Sequence, residues 1–345
     1  MSRILYFAYP GDLQTRTGGY GYDRRLIGAL RDLGWDVRLV ALGEGFPNDP
    51  DLGSAEALLA AVPDDGLLLI DGLAFGVMDC WAELHGGRLR LYALVHHPLA
   101  LETGLPERVR AEFSMRETKA LAQVRGVVVT SAVTAGELVE NFGVPRDRIE
   151  IAMPGSDPVP LASGSGAAPC ILSVGSLTRR KGHDVLVAAL ARLQDLSWTC
   201  RIVGNPAFDP AFALELERQI LDHGLGDRVV LAGEVKDARQ EFAGADIFAL
   251  ASRYEGYGMV FAEALAHGLP IVGCAAGAVP DVVPPAAGLL VPPDDAGASA
   301  LALRRLLTEQ DLRSSMADAA AIAGAALPSW RETAATVASF LEGRA

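Results

Sequence analysis

Glu255 and Glu263 stand eight positions apart in Glu255-Gly256-Tyr257-Gly258-Met259-Val260-Phe261-Ala262-Glu263, with two glycines between them and an apolar helical period opening at Met259. At a helix start the first backbone N–H groups have no partner inside the helix. Those of Gly258, Met259 and Val260 would therefore point outward, where they and the helix dipole favour a phosphate. Glu255 falls in the loop before this helix and Glu263 about one turn inside it, so both carboxylates can face one ligand and accept from its hydroxyls. This suits the holding of a hydroxyl-rich, phosphorylated small molecule. Two glutamates at this spacing on their own would equally be an exposed helix face, so the surrounding residues must decide.

Val174-Gly175-Ser176-Leu177-Thr178-Arg179-Arg180-Lys181-Gly182-His183-Asp184 reads as a strand end, a loop with three adjacent cations, and a helix start. A departing diphosphate gains charge as its bond breaks, and where no metal takes part, side-chain cations must stabilise it; Lys181 and Arg180 suit that role. Thr17-Gly18-Gly19-Tyr20-Gly21-Tyr22-Asp23 is read as a loop between the first strand and first helix. Its small residues would let backbone approach a diphosphate, although Arg24 stands where a dinucleotide fingerprint requires its third glycine. Tyr92-Ala93-Leu94-Val95-His96-His97-Pro98 is a strand ending in two histidines. Asp49-Pro50-Asp51 has the D-x-D form of a metal site but lies in a polar loop without a second ligand cluster, so no metal is expected there. Asp64-Asp65 and Asp294-Asp295 read as turns.

With Ala245-Asp246 before it and Ala264-Leu265-Ala266-His267-Gly268-Leu269-Pro270 after it, the Glu255 to Glu263 segment resembles the E-x7-E motif of retaining family 4 glycosyltransferases, the glycosyl transferases group 1, which have the GT-B fold. The resemblance covers nearly the whole chain and is more specific in the second half. It implies that Glu255 contacts the transferred sugar and Glu263 holds the nucleotide ribose. The Gly175 to Gly182 stretch resembles the G-R-L-x-x-x-K-G segment of that family. Lys181 matches, whereas Ser176 stands where many members carry arginine, leaving Arg179 or Arg180 as the substitute. Gly18 and Gly19 match the family's double glycine, and alignment to the strand end places His96, ahead of His97, beside the donor sugar.

The expected catalytic residues are thus His96, Lys181, Arg180 and Glu255. The expected donor contacts are Gly18, Gly19, Arg180, Lys181, Glu255, Gly256, Tyr257, Gly258, Met259, Val260 and Glu263. The resemblance implies retaining, metal-independent transfer of a hexose from a nucleotide diphosphate sugar, with no cofactor. A UDP-sugar is the first donor to consider and GDP-mannose the second; the acceptor is a small molecule, a glycan or a lipid-linked glycan. A GT-B phosphorylase or sugar epimerase, or a catalytically silent nucleotide-sugar-binding scaffold, would share much of this pattern.

Elements that could position these residues follow from periodicity. Apolar runs at 4–8, 37–42, 67–70, 91–96 and 126–130 alternate with helical periods at 22–33, 55–61 and 106–123 and with a helix capped by Ser131 or Thr134. Five strands make one Rossmann-like α/β unit. Residues 152–168, with Pro154, Pro158 and Pro160 among glycines and serines, read as a linker. The rhythm restarts with strands at 170–174, 198–203, 229–231, 247–249 and 271–273 and helices at 184–193, 212–223, 238–243 and 259–266. A terminal helix at 330–341 follows Pro328. The expected organisation is an acceptor-side Rossmann-like domain over 1–157, a nucleotide-sugar domain over 158–327, and a helix within 328–345 returning to the first domain. The two doubly wound domains would face each other across a cleft.

The chain's 345 residues, half of them apolar, are enough for two cores. A net charge of -13 excludes nucleic acid as the natural partner. Arg108, Arg110, Arg116, Lys119 and Arg125 alternate with Glu102, Glu107, Glu112 and Glu117, which reads as a solvated helix with internal ion pairs; peripheral membrane contact is not indicated. Cys80, Cys170, Cys200 and Cys274 fit no metal or redox spacing and read as reduced core thiols of a cytoplasmic protein. The opening Met1-Ser2-Arg3 runs straight into residues 4–8, which read as a strand and not as a secretory segment.

Overall fold

The computed structural model describes residues 3–166 and 168–343; Met1, Ser2, Ala167 of the linker, Arg344 and Ala345 lie outside the described residues. The chain divides into two compact units, Met1–Gly155 with Pro328–Ala345, and Ser156–Leu327. Each is built on a six-stranded sheet flanked by helices.

The first sheet comprises β1 (Arg3–Tyr9), β2 (Trp35–Ala41), β3 (Leu67–Asp71), β4 (Arg90–Val95), β5 (Gly126–Val129) and β6 (Ile149–Ile151), in the order β2-β1-β3-β4-β5-β6. Every pairing is parallel. β3 and β5 are buried at every position, as strands covered by helices on both faces must be. The sixth strand corrects the expectation of five: Ile149-Glu150-Ile151 is too short to show a period, yet it pairs with Val127 to Val129.

The helix Gly18–Asp32 begins where a loop was expected. Thr17 caps it, its hydroxyl accepting from Tyr20 N at 3.3 Å, so Gly18 and Gly19 are the first helical residues. A second correction concerns Glu117 on the helix Glu107–Leu121. It is not a solvated partner of the neighbouring arginines. It is buried and accepts from Leu99 N at 2.8 Å and Ala100 N at 3.1 Å, fastening the segment that follows His96 and His97. Arg116 pairs with Asp79 at 2.9 Å, and Cys80 is exposed, unlike the three buried thiols.

The second sheet comprises β7 (Cys170–Val174), β8 (Thr199–Val203), β9 (Val229–Gly233), β10 (Ile247–Leu250), β11 (Ile271–Cys274) and β12 (Gly288–Val291), in the order β12-β11-β10-β7-β8-β9, again all parallel. β12 and the helices Ala296–Thr308 and Gln310–Ala325 complete this unit beyond the elements expected from periodicity.

The helix Trp330–Leu341 is part of the first unit. Ser329 and Glu332 form a reciprocal capping box at its start. Trp330 packs edge-on against Tyr22 at 5.5 Å, Phe340 against Tyr92 at 5.5 Å, and the Thr333 hydroxyl donates to Met153 O at 2.8 Å. Ser329→Ala breaks the box and should lower the first unit's unfolding free energy by about 1 kcal/mol, read as a lower denaturation midpoint at unchanged slope.

Candidate active site

In each sheet the first strand's two neighbours are reached by connections running in opposite directions, which leaves a crevice at the carboxyl ends of β1 and β3 and another at those of β7 and β10. The residues singled out in the sequence gather at these two places.

In the second unit, β7 leads into the cationic turn and β10 into the loop 251–258. Lys181 Nζ donates to Glu255 Oε1 at 2.7 Å, and Arg180 Nη1 lies 3.6 Å from Glu255 Oε2. The side chains of Lys181 and Glu255 are 13% and 6% exposed, so this is a desolvated pair. Burial alone would raise the Glu255 pKa, but Lys181 and Arg180 outweigh it and hold the carboxyl below its ordinary value.

Backbone close approaches hold this pair in place. Gly182, at φ +65°, has the Ala251 carbonyl 1.9 Å from where a Cβ would stand, and Gly277, at φ +56°, has Glu255 O at 2.2 Å. Arg253, which the sequence reading did not single out, ties the two loops together. It bonds Asp184 at 2.9 and 3.1 Å and Asp294 at 2.7 Å, donates to Arg179 O, and takes Arg180 O through its own N–H at 2.8 Å. Beneath the turn, His183 is buried with Nδ1 3.3 Å from the Ser173 hydroxyl and Nε2 3.3 Å from Gly175 O. Burial pushes its pKa down to about 4, so it braces the turn as a neutral ring.

Gly258 takes φ +91° as the residue before the helix Met259–Ala266, which starts at the expected position. Tyr257 is buried, Gly256, Met259 and Val260 are part-exposed, and Glu263 is exposed one turn into the helix. Lys181 and Arg180 thus both face the Glu255 carboxylate, and Glu263 lies on the following helix.

Gly18, Gly19 and His96 belong to the first unit. His96 follows β4, and its Nε2 lies 2.9 Å from Asp23 Oδ1 and 3.6 Å from Asp71 Oδ2. His97 turns instead toward Glu102, at 3.9 Å. A Cβ on Gly19 would stand 3.3 Å from His96 Cδ2, and Tyr22 meets the ring edge-on at 5.1 Å. Gly19 therefore makes room for His96 from the first turn of the helix. Among the described residues, Asp23, Asp71 and His96 are also the one acid and histidine group compact enough to be considered for a metal ion, one atom from each lying within 4.8 Å of the others. Asp51 of the D-x-D stretch caps the helix Leu52–Leu59, accepting from Ser54 N at 3.0 Å and from the Ser54 hydroxyl at 2.6 Å.

Residues 164–322 match the family described as glycosyl transferases group 1. The chain belongs, through its second unit, to that family. It is 32% identical over 264 residues to the D-inositol 3-phosphate glycosyltransferase of Nocardia farcinica, a match spanning 70% of this chain and 57% of the relative, so the chain spans a little over half the length of that curated relative. Among solved structures it resembles the sucrose-phosphate synthase of Thermosynechococcus elongatus, with a TM-score of 0.81, 23% identity and 98% of both chains covered. It also resembles Anabaena HepE in complex with UDP-glucose, with a TM-score of 0.81, 19% identity, and 98% of this chain and 99% of that one covered. These likenesses carry the fold: the group 1 chain has the α/β GT-B fold with two Rossmann-like units.

Glu255→Ala would leave Lys181 buried without its carboxylate and should destabilise the second unit by about 3–5 kcal/mol at neutral pH. Because the Glu255 pKa is depressed on folding, the stabilisation it gives is present above the ordinary glutamate value of about 4.3 and is lost as pH falls through the lowered folded value. The difference between wild type and variant in chemical denaturation should therefore shrink in acid; a difference that ignores pH would assign the loss to packing.

Proposed function

We propose that the chain is a retaining, metal-independent glycosyltransferase that moves a hexose from a nucleotide diphosphate sugar to an acceptor hydroxyl. The observation that carries this reading is the desolvated contact of Lys181 and Arg180 with Glu255 at the β7/β10 crevice, in the loop that opens the helix at Met259. Family membership supplies the reaction class.

An ammonium has three N–H donors, so Lys181 can hold Glu255 and a phosphate oxygen together. As the bond between the sugar's anomeric carbon and the diphosphate oxygen lengthens, charge grows on that oxygen. Lys181, Arg180 and the first N–H groups of the helix Met259–Ala266 stabilise it from fixed positions, with no reorganisation at the moment of reaction. The acceptor oxygen forms its bond to the anomeric carbon on the face the diphosphate leaves, and the departing phosphate takes the acceptor's proton. Configuration is thereby retained without an enzymic nucleophile. Glu255, kept ionised by its cations, accepts from sugar hydroxyls, and Glu263 from those of the ribose.

For the donor, a UDP-sugar is the first candidate, in keeping with the UDP-glucose bound to HepE, and GDP-mannose is the second. A phosphorylated polyol is the first acceptor to try, given the name of the Nocardia relative; glycans and lipid-linked glycans follow. No helix among the described residues is long and apolar enough to cross a membrane, and with the free thiols this fits the proposed cytoplasmic setting.

A panel of nucleotide sugars should reveal the donor by thermal shift, since a ligand at about 100 times its Kd adds about 2.7 kcal/mol to the folded state. With that donor, Lys181→Ala should lower kcat on the order of 100-fold or more, whereas Glu263→Ala should chiefly weaken nucleotide binding. Near-normal turnover of the lysine variant would remove Lys181 from the mechanism. Turnover should persist in excess chelator, and strong inhibition would overturn the metal-independent reading.

A further inference from the structure

Asp71 ends β3 and accepts from Leu73 N at 2.7 Å, while Asp23 comes from the helix Gly18–Asp32 and is completely buried. Asp23 Oδ1 is engaged by His96. Its Oδ2 is buried and meets no hydrogen-bond donor, and the Asp71 carboxyl is its acidic neighbour, one ligand-type atom of each lying within 4.8 Å of the other.

Two carboxylates this close and out of water cannot both be ionised without compensation. The groups facing them are His96, Tyr20, Tyr22 and Arg24. Arg24 directs its guanidinium to the carbonyls of Leu13 and Thr15. Tyr20 donates its hydroxyl proton to Pro10 O at 2.8 Å and Tyr22 to Ala152 O at 2.9 Å, and burial together with the nearby carboxylates keeps both phenols neutral. A proton between the two carboxyls is the remaining compensation.

We infer that Asp71 carries this proton and donates it to Asp23. Asp23 then accepts on its other oxygen from His96 Nε2–H, which fixes His96 in one neutral tautomer with Nδ1 as a hydrogen-bond acceptor. The electrostatic directions agree. Burial raises both carboxyl pKa values, and the neighbouring Asp23 carboxylate pushes the Asp71 value further up, which favours a proton on Asp71. Burial also lowers the His96 value, against the pull of Asp71, and so favours the neutral ring. With Nε2 bonded and Cδ2 against Gly19, the Nδ1 and Cε1 edge is the part of the ring that these contacts leave over. Asp23 and Asp71 are positioning residues, and His96 offers its acceptor to a hydroxyl. That the hydroxyl belongs to the donor sugar rests on the proposed function; the tautomer does not.

Two-bond proton–nitrogen spectra of the full chain labelled with 15N-histidine, with the His96 signals assigned by loss in His96→Gln, test this without turnover. The wild type should show the Nε2–H tautomer at neutral pH and, as the pH is raised past the titration of the pair, keep that tautomer while the His96 nitrogen shifts move with the loss of the shared proton. Asp71→Ala should lose the tautomer at neutral pH. Asp71→Asn, whose amide N–H can donate to Asp23 and whose oxygen can accept from Leu73 N, should keep it and abolish the alkaline change. A mixed tautomer in the wild type, an unchanged one in Asp71→Ala, or an alkaline change surviving in Asp71→Asn would each overturn the inference. So would stoichiometric Mn2+ that selectively broadens the His96 signals, since a cation would then stand in the proton's place. With a donor in hand, Asp71→Ala should reduce transfer on the order of tenfold or more, as when a group orienting a histidine is lost, and Asp71→Asn should restore most of it. If the spectra hold and no donor is turned over, the proposed function fails while the proton-sharing pair stands.

Discussion

The contact between Lys181 and Glu255 sets what the rest of the second unit has to supply. Either charge alone, so little exposed, would be strongly unfavourable, so the two must be delivered together to within a hydrogen bond's tolerance. They come from loops 74 residues apart in sequence. The parting of β7 and β10 opens the space, and the left-handed glycines at 182 and 277 let backbones pass too closely for any side chain. Arg253 then locks one loop to the other through two aspartates and two carbonyls. The helix at Met259 inherits its position from this arrangement, with Met259 and Val260 part-exposed and Phe261 and Ala262 buried in its first turn.

The first unit meets the same difficulty in the opposite way. Its crevice holds two acidic side chains, Asp23 and Asp71, with Arg24 turned away toward loop carbonyls. Opposite charge compensates burial in one sheet, and a retained hydrogen does so in the other. Glu255 is held ionised below its ordinary pKa, whereas an acid pair held together by a single hydrogen gives that hydrogen up as the pH rises, so acid bears on one half of the chain and alkali on the other.

What was legible in the sequence lay where local chemistry and local structure coincide. The strand ends before the cationic turn and before Glu255, the helix at Met259 and the terminal helix over Trp330–Leu341 all announce themselves through branched apolar runs, glycine punctuation or a cap. The unread parts depend on distant chain segments. Ile149-Glu150-Ile151 is a strand only because β5 offers it an edge, and Glu117 looks like one of several solvated helix charges until the Leu99 and Ala100 amides fold over it. Gly18 and Gly19 misled because glycine is a poor helix former, while the Thr17 cap and the space needed by His96 favour a helix there all the same. Asp71 gave no local sign, since its partners lie 48 residues before it and 25 after it, in Asp23 and His96.

The helix Trp330–Leu341 is encoded after the entire second unit yet completes the first. During synthesis, residues up to 155 leave the ribosome without the Trp330 and Phe340 rings that cover Tyr22 and Tyr92. Since domains generally fold as units in order of emergence, the nascent first half must wait with an uncovered aromatic face while some 170 further residues are translated. The second half can mature before the first, so the order in which the two halves are finished reverses the order in which they are begun.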